Sequence, residues 1–497
     1  MPTTNHERMS SVDTAWLRMD SPGNSMMIVG VSATATPIRP ADFRRMIESR
    51  MLCFTRFRQR PVADALGASW VGDDEFDLDA HLQCIKLPEP AGKAELQALA
   101  AELASTPLDP RRPLWQLHFV EHYAGGSAWV TRVHHCYADG IAMVRVLLSM
   151  AEQDPAPAMG AHAPRHRPSE RRAAMDVLPV LSWVQQLAQP AGDILEHLLA
   201  EGSRLLETGI HQLFHPDRAS AIAAQAGGMV GEFARVVALP DDPDTPLRGR
   251  LGGYKAVAWG TPIPLHEVKT VAKALGCTIN DVLMSSVAGA LGGYLRAQGF
   301  DTTDLIVRAS VPVNLRAAED PLTLGNQFGL VFVDMAIGVA DPLARVFAMH
   351  DTMAALKGSM QPPLTLVTLG LMGVLPATVQ APAVEFFSRK ATAVVSNVPG
   401  PQAPLYMCGQ RVTEMYFWVP QSGSIGLGIS VLSYAGQVYF GMISDKKLVK
   451  APDRVVERFV PEFEKLLLAT TVGALATKEK RARARRRGRP RATAATT

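Results

Sequence analysis

Strand-like and helix-like segments alternate along this chain in two separate regions, with a long segment poor in strand signals between them. In residues 1–150, MMIVGVSATA (26–35) has the short, β-branched pattern of a strand, and KAELQALAAELAS (93–105) has the spacing of an amphipathic helix. The alternation resumes near Leu247 and ends with the helical pattern of DRVVERFVPEFEKLLLATT (453–471). Because such alternation is typical of helices packed on sheets, the sequence predicts two α/β layers of similar size.

The length of 497 residues exceeds what one hydrophobic core usually supports, which agrees with two domains. A stretch rich in Pro, Ala, His and Arg at 153–172 has the composition of an exposed linker, and residues after it are helical in pattern. The predicted division is an N-terminal domain at 1–165, a helical connection at 166–245, a C-terminal domain at 246–472 and a disordered basic tail at 473–497.

The net charge of +3 is the sum of two unlike parts. Residues 478–497 contain nine Lys or Arg and one Glu, a charge of +8, whereas the remaining 41 basic and 46 acidic side chains give −5. The mild negative charge of residues 1–477 argues against a nucleic-acid-binding domain there. Only the basic tail has a charge that suits nucleic acid.

Cysteine spacing and apolar stretches exclude several classes of protein. The five cysteines form no C-x-x-C pair, so neither a disulfide framework nor a structural zinc site is predicted, and a reducing compartment is expected. The N-terminus lacks the apolar core of a secretory signal. Residues 358–384 are uncharged, but four prolines interrupt them, which favours a buried helix pair or a lipid-touching surface over a membrane span.

The strongest chemical signal is a His-His-x-x-x-Asp-Gly motif, formed by His134, His135, Asp139 and Gly140 at the end of a predicted strand. Adjacent strand residues point to opposite faces, so only one imidazole can enter a given cleft. Such an imidazole can act near neutral pH as general base for a hydroxyl nucleophile. Asp139 can hold the following turn, and Gly140 permits a tight entry into the next helix. Two diverging histidines without a third ligand predict no metal site.

Other blocks accompany this motif in a fixed order and carry a family resemblance. They are MSSVDTAWLRMDSPGNSMMIVG (9–30), Pro113-Leu114-Trp115, Asn280-Asp281, Val311-Pro312-Val313-Asn314-Leu315-Arg316 and Ser396-Asn397-Val398-Pro399-Gly400-Pro401. Residues 9–465 thereby resemble the bacterial bifunctional wax ester synthase/acyl-CoA:diacylglycerol acyltransferases, a branch of the superfamily that includes chloramphenicol acetyltransferase and peptide-synthetase condensation domains. The resemblance implies an α/β (α+β sandwich) fold, with two chloramphenicol-acetyltransferase-like domains and an active-site tunnel between them.

The resemblance also implies a reaction. A long-chain acyl group passes from acyl-CoA to a fatty alcohol or a diacylglycerol, with His135 as general base, no acyl-enzyme and no cofactor besides the co-substrate. The lack of a G-x-S-x-G nucleophile motif agrees with direct attack. The implied location is the cytoplasm, at the inner face of the membrane and on lipid inclusions. Two alternatives stay open: a condensation-type acyltransferase with other thioester donors, and a non-catalytic lipid-inclusion tether.

Outside the motif, one residue is a further catalytic candidate and four are candidates for the substrate tunnel, and each has a structural alternative. Asn280 is expected by resemblance to stabilise an oxyanion or order the site, but it could equally cap the long helix that follows. Asp281 would support the start of the same helix. Trp115 is a candidate for the tunnel wall or for core packing. Ser396 and Asn397 shape either the cleft or the Pro-Gly turn after them.

The basic tail has two candidate partners. Its segment Arg485-Arg486-Arg487-Gly488-Arg489-Pro490-Arg491 resembles an AT-hook, which lies in the minor groove of A·T-rich DNA. A disordered polycation is also attracted to anionic lipid headgroups. We favour the lipid surface, because residues 1–477, with their negative charge, offer no second DNA-binding face.

Overall fold

The structure is a computed structural model, and it describes residues 6–21, 23–64, 67–152, 232, 235–316, 324–374 and 377–487, with backbone alone for 377–379 and 473–487. The expected helical connection at 166–245 therefore lies almost entirely outside the described residues.

The described elements are numbered here in chain order. The strands are β1 (Glu7–Arg8), β2 (Met27–Thr34), β3 (Gln59–Asp64), β4 (Gly67–Gly72), β5 (Leu82–Ile85), β6 (Trp115–Tyr123), β7 (Gly126–His134), β8 (Lys255–Trp259), β9 (Ile263–Pro264), β10 (Val307–Asn314), β11 (Phe328–Met335), β12 (Ala393–Pro399), β13 (Tyr406–Met407), β14 (Gln410–Trp418), β15 (Leu427–Tyr434) and β16 (Gln437–Asp445). The α-helices are α1 (Ser11–Arg18), α2 (Pro40–Met46), α3 (Lys93–Ser105), α4 (Gly140–Met150), α5 (Leu265–Leu275), α6 (Ile279–Ala297), α7 (Pro342–Leu356), α8 (Gln361–Val374), α9 (Ala377–Ser388) and α10 (Asp453–Arg487).

The first large sheet has the strand order β13-β14-β2-β7-β6-β5, and a small sheet of β1, β4 and β3 lies apart from it. Strands β6 and β7 form an antiparallel hairpin, and Gly125 turns it with a φ of +87°. Strand β14 comes from the second half of the chain and pairs antiparallel with β2. This corrects the expected C-terminal domain at 246–472, because 406–418 completes the first sheet. The crossover supplies hydrogen-bond partners to β2, a buried strand that would otherwise form an open edge.

The second large sheet has the order β11-β10-β12-β15-β16-β8, and β9 pairs with β16. Strands β10, β12 and β15 run parallel, so their carboxyl ends meet at one edge. Helix α6 is buried along most of its length among α5, α7 and α10. Its small residues permit this approach, since a Cβ on Gly292 would lie 2.1 Å from the carbonyl oxygen of Ile337.

The last helix runs further than the sequence analysis expected. Helix α10 continues to Arg487, so residues 473–487 are helical and not part of a disordered tail that starts at 473. This segment is rich in Ala, Lys and Arg, which are strong helix formers. Gly488 and Pro490, both helix breakers, follow it directly.

The uncharged stretch at 358–384 forms α8 and the first part of α9. Helix α8 packs closely on α1, where a Cβ on Gly373 would lie 1.7 Å from the carbonyl oxygen of Ser11. Within the described ranges no single helix has the length and apolar composition to cross a membrane, although α5 and α6 together meet that test with a bend of 101° between them.

Candidate active site

A cavity lies between the two large sheets, where the domains face each other. Its walls come from α1, the turn between β7 and α4, the strands β10, β11 and β12, and the loop 419–422 that follows β14. The empty volume, including the open mouth, is about 920 Å³. The first domain contributes His135, Asp139 and Gly140, and the second contributes Ser396 and Asn397, so five of the candidate residues meet at one cavity.

The two histidines of the motif point in different directions, as strand alternation requires. His135 follows the end of β7, where its backbone N–H donates to the carbonyl of Met26 over 2.7 Å, and its ring lines the cavity. The ring of His134 is buried on the other side, with Nε2 3.3 Å from Oδ2 of Asp20. The backbone N–H of Cys136 donates to Nδ1 of His134 over 3.2 Å. His134 therefore braces the turn, and His135 faces the space where a substrate could bind.

Aromatic rings shield His135 from water. The indole of Trp16 stacks on its imidazole with 4.2 Å between ring centroids, and Phe328 lies 5.4 Å away. His135 is 3% exposed, and its Nδ1 has no hydrogen-bond partner among the described residues. Burial lowers the pKa of His135 to about 4, and the charge of Asp139 only partly opposes that shift. The imidazole is thus uncharged at neutral pH, the form in which it can accept a proton.

Asp139 is fully engaged in holding the turn. Its Oδ1 accepts from the backbone N–H of Ala142 over 2.8 Å and so caps the start of α4. Its Oδ2 accepts from Nη2 of Arg316 over 3.0 Å and from the backbone N–H of Gln327 over 2.9 Å. The Asp139–Arg316 ion pair is buried and joins the two domains. The sequence analysis quoted Arg316 within a family block but did not identify it as this partner.

A second contact between the domains fixes the main chain of His135, and the sequence analysis missed it. Nδ2 of Asn326 donates to the carbonyl of His135 over 2.8 Å and to Oδ1 of Asp13 over 2.7 Å. Burial raises the pKa of Asp13. Asp13 and Trp16 are one turn apart on α1, so this short helix stacks on the ring of His135 through Trp16 and holds Asn326, which binds the carbonyl of His135, through Asp13. The spacing of Asp13 and Trp16 places both residues on one face of a helix, which the sequence alone indicates. No sequence pattern shows that Asp13 contacts Asn326.

Asn280 lies behind the cavity wall. Its Oδ1 accepts from Nδ2 of Asn397 over 2.8 Å, and Asn397 lines the cavity. Thr278, and not Asn280, caps α6, because the hydroxyl of Thr278 accepts from the backbone N–H of Asp281. Asn280 is therefore placed to orient Asn397, and it contacts the cavity only through that residue.

Two tunnel candidates lie elsewhere and are corrected. Asp281 is buried at the start of α6, where Oδ2 accepts from the backbone N–H of Thr278 over 2.8 Å. Trp115 is fully buried in the first core, and its Nε1 donates to the carbonyl of Phe57 over 2.8 Å. A strand tryptophan that finds both apolar neighbours and a hydrogen-bond acceptor inside the domain has no reason to face a tunnel. Ser396 does line the cavity, on β12.

A second cavity adjoins the first beneath α8. Trp16, Leu330 and Ser422 line both cavities. The second cavity has an empty volume of about 650 Å³ and continues between α1, α8, α9 and β11. Apart from Thr365, Thr368 and Ser422 its walls are apolar, so it suits a hydrocarbon chain.

This arrangement defines a class of enzyme. An uncharged histidine sits in a cavity between two α/β domains, in a His-His-x-x-x-Asp-Gly turn held by a buried ion pair. The nearby thiol of Cys136 is buried and does not line the cavity, and burial raises its pKa well above the usual value, which disfavours the thiolate that a nucleophile needs. The described part of the chain places no cluster of three potential metal ligands at the cavity. These features are those of an acyltransferase of the His-His-x-x-x-Asp-Gly superfamily.

Comparison with known proteins identifies the family. The wax ester synthase/diacylglycerol acyltransferase catalytic domain matches residues 9–283, and the WS/DGAT C-terminal domain matches 324–467. A Mycobacterium tuberculosis protein described as a diacylglycerol O-acyltransferase, Rv3087, is 30% identical over 487 residues, which cover 94% of this chain and 98% of the relative. The chain therefore belongs to the wax ester synthase/diacylglycerol acyltransferase family and is an O-acyltransferase.

Solved structures confirm the expected fold. The wax ester synthase/diacylglycerol acyltransferase from Marinobacter aquaeolei VT8 matches with a TM-score of 0.63 at 21% identity and covers 93% of this chain and 99% of its own. The starter condensation domain of rhizomide synthetase RzmA, solved with C8-CoA, matches with a TM-score of 0.57 at 15% identity and covers 94% and 95%. Both matches span the two domains, as the sequence analysis predicted.

Proposed function

We propose that this enzyme transfers a long-chain acyl group from acyl-CoA to the hydroxyl of a fatty alcohol or a diacylglycerol, with His135 as general base. The observation that carries the proposal is the uncharged, buried imidazole of His135 in the wall of a largely apolar cavity. The family and the name of the M. tuberculosis relative support the acceptor class, and the condensation domain solved with C8-CoA supports the donor.

His135 alone can both accept and return the one proton that the proposed reaction moves. A ring nitrogen takes the hydroxyl proton while the alcohol oxygen attacks the thioester carbonyl carbon. The tetrahedral intermediate then expels the CoA sulfur, which leaves as the thiol after it receives the same proton. Because the ring has no competing hydrogen bond at Nδ1 and little contact with water, no solvent shell has to be removed before transfer. No cofactor is required, since acyl-CoA is a co-substrate.

Polar groups of the second domain are available to stabilise the oxyanion of the tetrahedral intermediate. The hydroxyl of Ser396 and the amide of Asn397 lie in the wall of the same cavity as His135. We assign Asn280 as a positioning residue, because its Oδ1 fixes the amide of Asn397. A donor held before the reaction begins stabilises a developing negative charge without the cost of reorienting during the reaction.

The second cavity is proposed to hold a hydrocarbon chain of one substrate. It shares Trp16, the residue that also covers His135, with the first cavity, so a chain seated there would keep its polar end near the base. Leu364, Leu369 and Met372 of α8 form its apolar floor. Burial of successive methylene groups contributes about 0.8 kcal/mol each, which favours long chains.

A single assay tests the proposed reaction. Purified protein is incubated with palmitoyl-CoA plus hexadecanol or diolein, and free CoA is measured with a thiol reagent. We expect release that depends on the alcohol and is lost in His135→Ala. The matched control is His122→Ala, an exposed histidine on β6, which should keep the wild-type rate. Equal rates in His135→Ala and wild type would contradict the role of His135.

The same assay separates the two alternatives. A condensation-type enzyme would release thiol from an acylated carrier-protein thioester and an amine, and not from acyl-CoA with an alcohol. A lipid-inclusion tether would release no CoA with any alcohol while still binding lipid droplets. The intact Asp139–Arg316 pair and the uncharged His135 support catalysis over the tether.

We also propose that the protein associates peripherally with a lipid surface at the inner face of the membrane or on inclusions. Helix α8 carries no charge, and Leu371 and Val374 near its end are exposed, while its other face lines the second cavity. The basic residues from Lys478 onward would add attraction to anionic headgroups, about 1 kcal/mol for each one near the surface.

Vesicle sedimentation at low salt tests the tail. Removal of residues 478–497 should weaken binding to anionic vesicles and leave CoA release in detergent unchanged. Replacing Leu371 and Val374 by serine should weaken binding to neutral vesicles as well. Unchanged binding to anionic vesicles after the deletion would contradict the proposal that the tail binds lipid. A gel shift with A·T-rich duplex, lost on the same deletion, would favour DNA instead.

A further inference from the structure

Three side chains with different metal-binding atoms converge outside the catalytic cavity. They are Cys277 in the turn between α5 and α6, Asp281 in the first turn of α6, and His350 on α7. One ligand atom of each lies within 4.8 Å of the other two. None of the three lines either cavity, so the reaction at His135 does not explain the cluster.

We propose that Cys277, Asp281 and His350 bind a zinc ion that fixes the start of α6. A thiolate sulfur, an imidazole nitrogen and a carboxylate oxygen form a ligand set typical of Zn²⁺, which accepts all three donor types. Hard cations such as Mg²⁺ and Ca²⁺ prefer oxygen and are disfavoured by the cysteine. A water molecule would complete the tetrahedron.

The geometry needs only small side-chain rotations. Bond lengths of about 2.0 to 2.3 Å place the ligand atoms of tetrahedral zinc roughly 3.3 to 3.7 Å apart. Nδ1 of His350 is 2.8 Å from Oδ2 of Asp281, so those atoms would separate slightly while the sulfur of Cys277 approaches. The backbone N–H of Thr278 donates to the same oxygen of Asp281 and orients the carboxylate, as residues behind metal ligands commonly do. The side chain of His350 is 35% exposed, which gives an ion access.

Charge at the cluster is compatible with a cation. On binding, zinc would take Cys277 as the thiolate, the thiol proton would leave to solvent, and Nδ1 of His350 would bind the ion while Nε2 carries the ring proton. The two anionic ligands balance the ion. Asn280 is the neighbour of Asp281 in α6, so a zinc ion that fixes Asp281 would also fix the position of Asn280, whose Oδ1 accepts from Nδ2 of Asn397.

The test is equilibrium dialysis of the chelator-stripped, full-length protein against Zn²⁺, with Cys277→Ser and His350→Gln as site variants. The matched controls are Cys84→Ser and His266→Gln, which replace exposed residues of the same types. We expect one zinc per chain in wild type and controls, and at least tenfold weaker binding in both site variants, in line with the effect of losing a supporting group. Circular dichroism checks that each variant is folded.

A second measurement excludes adventitious binding. With Co²⁺ in place of Zn²⁺, a thiolate-to-metal absorption band should appear in wild type and in Cys84→Ser, and be missing from Cys277→Ser. About one proton should be released per zinc bound at neutral pH. Equal zinc affinity in wild type and Cys277→Ser, or no binding at micromolar zinc, would overturn the proposal and leave a hydrogen-bonded Asp281–His350 pair.

Discussion

Replacing Trp16 by alanine should move the acid limb of the pH–activity profile upward. The indole stacks on the ring of His135 and, together with Phe328, keeps water from it. Burial is the largest cause that holds the pKa of His135 at about 4, against an ordinary value of 6.5. Without the indole, water can reach the imidazole through the cavity, so its pKa should rise toward 6.5.

The magnitude follows from the two pKa values. Their difference corresponds to about 3 kcal/mol in favour of the neutral imidazole. At about pH 5.5 a base with a pKa of 4 is almost entirely neutral, whereas a base with a pKa of 6.5 is neutral in roughly a tenth of the molecules. The ratio of activity at about pH 5.5 to activity at about pH 8 should therefore fall by up to tenfold in Trp16→Ala and stay near one in wild type.

The assay is CoA release with palmitoyl-CoA and hexadecanol over this pH range, with the melting temperature of each variant recorded at each pH. Trp16→Phe is the matched variant, because it keeps an aromatic ring over His135 and should retain the wild-type profile. If folded Trp16→Ala had the same pH ratio as wild type, Trp16 would not control the pKa of the base. A wild-type acid limb near pH 6.5 would refute the low pKa itself.

Three further predictions concern stability and specificity. Arg316→Met leaves the carboxylate of Asp139 buried without its cation and should lower the free energy of unfolding by about 3 to 5 kcal/mol, measured in urea; an unchanged free energy of unfolding would contradict a stabilising role of this ion pair. Burial lowers the pKa of His118 to about 4, so the unfolded chain binds more protons as the pH falls from about 6.5 toward 4, and stability decreases in that window. His118→Phe should remove about 2 kcal/mol of the loss between about pH 7 and pH 5, measured by denaturation at both values, and an equal loss in the variant would contradict this assignment. Leu369→Trp should fill part of the second cavity and reduce CoA release from palmitoyl-CoA or with hexadecanol far more than with short-chain substrates, whereas a uniform change across chain lengths would separate that cavity from substrate binding.

Local features of the fold were predictable because they depend on neighbouring residues. The β6–β7 hairpin follows from two strand patterns around a glycine turn, and the entry into α4 follows from Asp139 before a helical pattern. The crossing of β14 into the first sheet was not predictable, because a strand pattern does not specify which edge it will pair with. The extension of α10 to Arg487 differs from the predicted disordered tail, because Ala, Lys and Arg favour a helix even where the charge is strongly basic.

In the candidate site, too, the sequence indicated the local features and not the contacts between distant residues. Strand alternation indicated that the two histidines diverge, and the structure places His135 in the cavity and His134 against Asp20. No sequence pattern connects Asn326 to a carbonyl 191 positions earlier, or Arg316 to a carboxylate 177 positions earlier. Trp115 was a candidate because apolar aromatic residues suit both tunnels and cores, and only its neighbours distinguish the two.

The sequence by itself determined the family and the histidine motif, since each is carried by blocks of contiguous residues whose order and spacing can be read directly, and its alternating patterns indicated two α/β domains without their bounds. Only the tertiary structure decided that Trp16 covers His135, that Asn280 accepts a hydrogen bond from Asn397, and that a second cavity lies beneath α8. The physical reason is that the pKa of a base and the shape of a cavity depend on which distant side chains exclude water, and that exclusion exists only once the two domains are packed together.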